Sequence, residues 1–127
     1  MNREFDVIIY GASGFTGRLV AEYMGSTYGR SINWAMAGRN TVKLAEVRDE
    51  IGASPETPLV TADADDLDSL RVMVKSAQCI CSTVGPYQLY GPELVRLCPE
   101  DGTHYVDLSG EPGWVHGLLA AHHDTAR

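Results

Sequence analysis

Only two lysines and three cysteines occur in these 127 residues, and no stretch clusters basic side chains. Ten basic against 17 acidic residues leave a formal charge of -7. Nucleic acid and anionic membranes are captured by clustered positive charge, so neither is expected as a partner. The cysteines, Cys79, Cys81 and Cys98, form no CxxC pair and have no histidine at metal-ligand spacing. No metal site is expected, and the thiols read as small buried hydrophobes, with Cys79 and Cys81 on the same face of a strand. The amino-terminal "MNREFDVIIYG" holds an apolar run too short for a signal peptide. No later segment approaches the roughly 18 apolar residues of a membrane span. The chain therefore reads as a reduced, cytoplasmic, soluble protein.

What is present is enough apolar material, 44% of residues, for one domain with a real core. "FDVIIY" (5 to 10) is apolar on both faces, as in a strand of a parallel sheet covered from both sides. From Thr16 the pattern becomes helical through Leu19, Val20, Tyr23 and Met24, with Gly25 and Gly29 available to stop it. The unit repeats. Residues 32 to 38 read as a second strand, followed by a helix with Val42, Leu44, Ala45, Val47 and Ile51 as its apolar positions. Residues 57 to 63 read as a third strand. Asp65 or Asp66 then caps a helix carrying Leu67, Leu70, Val74 and Ala77. Residues 78 to 85 make a fourth strand, 91 to 98 a short helix with Pro92 in its first turn, and 103 to 110 a fifth strand, with a further helix after it. Alternation at this interval predicts an α/β, Rossmann-type doubly wound parallel sheet of order 3-2-1-4-5 with helices on both faces.

In such a sheet, ligands bind outside the carboxyl ends of the strands where the order reverses, here between strands 1 and 4. "YGASGFTGRLV" (10 to 20) falls at that point. Gly11, Gly14 and Gly17 allow close main-chain approach, and the N-H groups of Gly14, Phe15 and Thr16 can meet a pyrophosphate, with Ser13 and Thr16 adding hydroxyls. A GxxGxxG triplet is weak by itself, since any strand-to-helix turn can use glycine. The end of strand 2 reads "AGRN", where an NAD-binding chain carries an acidic residue. Arg39 offers a planar fork suited to a 2′-phosphate, and Asn40 starts a helix whose N-H groups point the same way, which favours NADP. The plainer reading of Arg39 is a solvated surface arginine, and of Lys43 an exposed helix lysine. Asp63 and Ala64 close strand 3, where they either meet the adenine or belong to a capping cluster. Gly85 and Pro86 end strand 4 and line the cofactor, with Tyr87 beside them. Asp107 and Glu111 are candidates to face a substrate, whereas His104, His116, His122 and His123 read as surface or capping residues.

Together, "GASGFTGRLV", "AGRN", "ADADDLDSL", "STVGPYQLYGPELVRLC" and "GTHYVDLSGE" closely resemble the N-terminal NADP-binding domain of the saccharopine dehydrogenase-like oxidoreductases, which include trans-acting enoyl reductases. The resemblance spans almost the whole chain, and its last two strings are far more specific than the glycine turn. It implies Gly11, Ser13, Gly14, Phe15, Thr16 and Gly17 at the pyrophosphate, Arg39 and Asn40 at the adenosine end, and Gly85 and Pro86 near the nicotinamide. It also implies a substrate or dimerisation domain that this chain does not contain, which leaves room for a homo-oligomer and for a small-molecule substrate bound elsewhere. Pro99 departs from the usual continuation of its helix. A stand-alone short-chain reductase needs a tyrosine four residues before a lysine, yet Lys43 and Lys75 are preceded at that distance by Arg39 and Arg71. No catalytic residue is assigned. The alternative reading is a non-catalytic module that uses NADP occupancy as a redox signal.

Overall fold

The computed structural model describes residues 3–28, 31–83 and 92–107. Along the chain run β1 (Phe5–Tyr10), α1 (Phe15–Thr27), β2 (Trp34–Gly38), α2 (Thr41–Glu50), β3 (Leu59–Thr61), α3 (Leu67–Ser76), β4 (Ala77–Ser82), α4 (Pro92–Glu100) and β5 (His104–Asp107). The five strands form one sheet of order β3-β2-β1-β4-β5, parallel throughout. The reversal of strand order lies between β1 and β4, where Tyr10 is level with Ser82.

Side-chain alternation divides the core between the two faces of this sheet. Val7, Ile9, Trp34, Met36, Leu59 and Cys81 pack with Ala21 and Met24 of α1 and with Leu44 and Val47 of α2. On the other face, Ile8, Tyr10, Ala35, Ala37 and Ile80 pack with Leu70, Met73 and Val74 of α3 and with Leu94, Leu97 and Cys98 of α4. A strand buried on both sides must be apolar at successive positions, which is why "FDVIIY" shows no polar alternation after Asp6. Arg3 ties this arrangement together at the amino edge. Its guanidinium donates to the carbonyls of Val74 (3.1 Å), Lys75 (2.9 Å) and Asp101, and to the Thr103 hydroxyl (3.1 Å).

Helix ends follow local chemistry. Asn40 and Asp66 are the N-caps of α2 and α3, each side chain accepting from the backbone N-H three residues on, Lys43 at 3.1 Å and Ser69 at 3.2 Å. Gly52 and Gly102 adopt φ of +73° and +72° just past α2 and α4. In both places the paired 6→1 and 5→2 bonds of a glycine-terminated helix form: Ala53 to Arg48 and Gly52 to Asp49, then Thr103 to Cys98 and Gly102 to Pro99.

Five expectations are corrected. Gly25 does not stop α1, which runs on to Thr27 and closes with the Tyr28 N-H on the Met24 carbonyl. Glycine there has ordinary space around it and no left-handed φ, so it carries no stop signal. Val42 is 70% exposed, because it lies on the side of α2 opposite Leu44 and Val47. Ala77 belongs to β4 and not to α3, since the chain turns extended there at φ -129° and ψ 153°. The helix around Pro99 passes through it to Glu100. Cys98 is buried as expected, whereas Cys79 and Cys81 are only half-buried.

Candidate functional site

The turn after β1 is held by neighbours on both sides. Gly11 takes φ +87°, a left-handed conformation that favours glycine. Its N-H donates to the Ala37 carbonyl of β2 at 2.8 Å, and its own carbonyl accepts from the Gly14 N-H at 3.0 Å. Gly17 serves a different purpose from the other two glycines. A Cβ there would sit 2.0 Å from the Gly11 carbonyl oxygen, so its role is to let α1 lie against the turn. Gly14, by contrast, is the N-cap of α1 and makes no side-chain cap. The first N-H groups of a helix have no partner within it, and here no capping oxygen among the described residues takes them. They face the carboxyl end of the sheet with the positive end of the helix dipole.

Against this turn lies a cleft of about 350 Å³ whose wall includes Gly11, Ser13 and Gly14 from the turn, Arg39 from the end of β2, and Asp63 and Ala64 from the end of β3. The structure thus brings together six residues that the sequence singled out. Phe15 and Thr16 form the first turn of α1, where the Phe15 side chain is 83% exposed. Asn40 is occupied in capping α2, beside the cleft and not in its wall. Asp63 accepts from the Asp65 N-H at 3.0 Å, while Asp66 is the cap, so the acidic string both shapes a turn and borders the cleft. Gly85, Pro86, Tyr87, Glu111, His116, His122 and His123 lie outside the described residues. Asp107 is half-buried and accepts from the Tyr105 hydroxyl at 2.6 Å. His104 and Lys43 are exposed.

Tyr10 and Thr83 also line the cleft and were missed in the sequence. Burial, reinforced by the carboxylates of Asp63 and then Asp65 and opposed by Arg39, pushes the Tyr10 phenol up to about 12. It therefore stays protonated and neutral at any physiological pH. Both residues are the β-branched or aromatic type that strands favour, and only the register of β4 on β1 marks their place at the switch point.

A second cleft, of about 340 Å³, opens at the amino ends of the strands. Glu4 and Glu56 line it, and a phosphate there would be repelled. The cleft at the glycine turn fits a dinucleotide phosphate on three counts: an uncapped helix N-terminus, main chain approachable at Gly14, and an arginine in the wall.

Comparison with known proteins agrees. The model of the saccharopine dehydrogenase NADP binding domain matches residues 7–127. A Mycobacterium tuberculosis protein, whose name places it provisionally among the trans-acting enoyl reductases, is 43% identical over 125 residues, 98% of this chain and 30% of the relative. The trans-acting enoyl reductase of Mycobacterium leprae is 40% identical over the same shares. This chain thus spans about a third of the length of the curated relatives it matches. Among solved structures, apo saccharopine dehydrogenase (L-Glu forming) from Saccharomyces cerevisiae superposes with a TM-score of 0.69 at 19% identity, over 88% of this chain and 23% of that one. Triphenylmethane reductase of Citrobacter sp., complexed with NADP(H), gives 0.68 at 19% identity, over 97% and 45%. These two show the same Rossmann-type fold. With the sheet, the glycine turn and the family match in agreement, the chain belongs to the saccharopine dehydrogenase NADP-binding domain family, and its cofactor is NADP.

Proposed function

We propose that this chain is the cofactor half of an NADP(H)-dependent oxidoreductase similar to the enoyl reductases, and that its cleft seats the dinucleotide in one orientation. The pyrophosphate lies on the N-terminus of α1 over Gly11, Ser13 and Gly14. The adenosine 2′-phosphate lies on Arg39, and the adenine lies against Asp63 and Ala64. The observation that carries this reading is the joint presence in one cleft wall of the α1 N-terminus and Arg39. When bound, the cofactor supplies the hydride; the protein supplies position and electrostatics.

The other half of the chemistry needs a group that binds substrate and handles a proton beside the nicotinamide. None of the described cleft residues suits this. Tyr10, the phenol in the wall, is buried to 3% exposure beside the acidic residues of the proposed adenosine end, far from the role of a poised acid. A further domain, of the kind that the length of the relatives suggests, supplies the substrate wall. Residues 1 to 127 should accordingly bind NADPH yet oxidise it with no added carbonyl or enoyl compound above the rate in buffer, as followed by absorbance. Turnover of a defined substrate by these residues alone, abolished by Asp107→Asn, would show that the domain has its own active site.

A further inference from the structure

The glycine turn is fastened to β2 by Gly11 and Ala12, whose N-H groups reach the Ala37 carbonyl at 2.8 and 3.2 Å. On its other side it must be fastened to β4, and there the regular ladder has just ended at Tyr10 and Ser82. Thr83, the next residue, extends the connection in two ways. Its N-H donates to the Tyr10 carbonyl at 2.9 Å, and its hydroxyl donates to the same carbonyl at 2.8 Å, with the Gly11 carbonyl 3.2 Å away. The hydroxyl also stands directly behind α1, since a Cβ on Gly17 would lie 2.7 Å from it. Thr83 thus touches the strand end, the turn and the first turn of the helix at once, and it borders the cleft.

We propose that Thr83 is a positioning residue for the cofactor phosphates, acting through the Tyr10 and Gly11 peptides and resting on the seating described above. A hydroxyl has one proton, and here that proton goes to main-chain carbonyl oxygen, so Thr83 does not donate to a phosphate. What it does is fix the plane of the Gly11 peptide. The Gly11 carbonyl receives the Gly14 N-H, so its direction sets where the uncapped N-terminus of α1 points. If the Thr83 hydroxyl is lost, the Thr83 N-H still holds the Tyr10 carbonyl, but the Gly11 carbonyl loses its β4-side contact, so the Gly11 peptide can rock and the N-H groups no longer converge on one phosphate position. The adenosine end, built on β2 and β3, is untouched by this motion.

The test compares two ligands in the 127-residue chain: NADPH, which carries the pyrophosphate, and adenosine 2′-monophosphate, which carries only the adenosine end. Thr83→Val keeps the shape and removes the hydroxyl. It should weaken NADPH about tenfold, the scale of one hydrogen bond, and leave adenosine 2′-monophosphate unchanged. Thr83→Ser should stay within about twofold of the parent for both ligands, because the hydroxyl returns. Should Thr83→Val fail to fold, Thr83→Ala is measured in its place with the same expectation. Unchanged NADPH affinity in the hydroxyl-less variant, a parallel loss of both ligands, or failure of serine to restore binding would each overturn the role. If the parent chain binds neither ligand, the seating is wrong and the role falls with it; if the parent binds both and the variant matches it, only the role falls.

Discussion

At the scale of single residues, burial decides which groups can do chemistry. The Cys98 thiol is pushed from its usual 9.0 up to about 12 by burial, with Cys79 and Asp101 adding to the effect. Tyr10 moves from 10.0 to about 12, again mainly through burial. Both groups hold their protons in the folded protein at pH values where an unfolded chain releases them. Their contribution to stability is therefore complete below the unfolded values and is lost as pH rises from about 9 towards 12. Each group steepens the fall by up to about 1.4 kcal/mol per pH unit within its own window. Urea unfolding across this range should show stability decreasing as pH rises, and Tyr10→Phe should flatten the upper part of the decrease. A slope unchanged by Tyr10→Phe would mean that the phenol is already solvated.

At the scale of the element, α1 shows how two glycines of one helix carry opposite meanings. Its inner face is Gly17, Ala21 and Met24, a row of residues four and three apart that sets the helix against β1. Gly17 is compelled by the backbone behind it: the Cβ of an alanine would lie 2.0 Å from the Gly11 oxygen and 2.6 Å from its carbon, and neither atom can swing away. Gly25 has the Trp34 ring at 3.6 Å, the Ala53 Cβ at 3.7 Å and the Ala53 Cα at 3.9 Å, all at ordinary contact distance. Gly17→Ala should thus destabilise the fold by about 1–3 kcal/mol or more, as overpacking does. Gly25→Ala should stabilise it by about 0.5–1 kcal/mol through helix propensity. Thermal unfolding of the two variants checks both signs, and a stabilised Gly17→Ala would refute the close approach of helix and turn. The sequence could not separate these glycines, because what distinguishes them is a neighbour brought from elsewhere in the chain. The caps were easier to read. Asn40 and Asp66 have side chains that take a local N-H, so residue type and position before an apolar periodic segment were enough.

At the scale of the whole molecule, the strand order was legible because apolar runs alternating with helical patterns admit few right-handed parallel arrangements. That order puts the reversal between β1 and β4, and a cleft lies at their carboxyl side. Gly11, Ser13, Gly14, Arg39, Asp63 and Ala64 share one cleft wall, as a reading of three strand ends suggested. Tyr10 and Thr83 escaped notice since a residue at a strand end that also borders a cleft looks like any other until register is known. The central claim joins these scales: the α1 N-terminus and Arg39 hold the two phosphate regions of one NADP molecule. Calorimetric titration of the chain and its Arg39→Ala variant with NADPH and NADH tests it most directly. The parent should bind NADPH more tightly than NADH, and Arg39→Ala should weaken NADPH by about 1.5–3 kcal/mol, the range for hydrogen bonds to charged groups, while NADH stays nearly unchanged. Equal affinity of the parent for both cofactors, or an equal loss of both in the variant, would contradict the account.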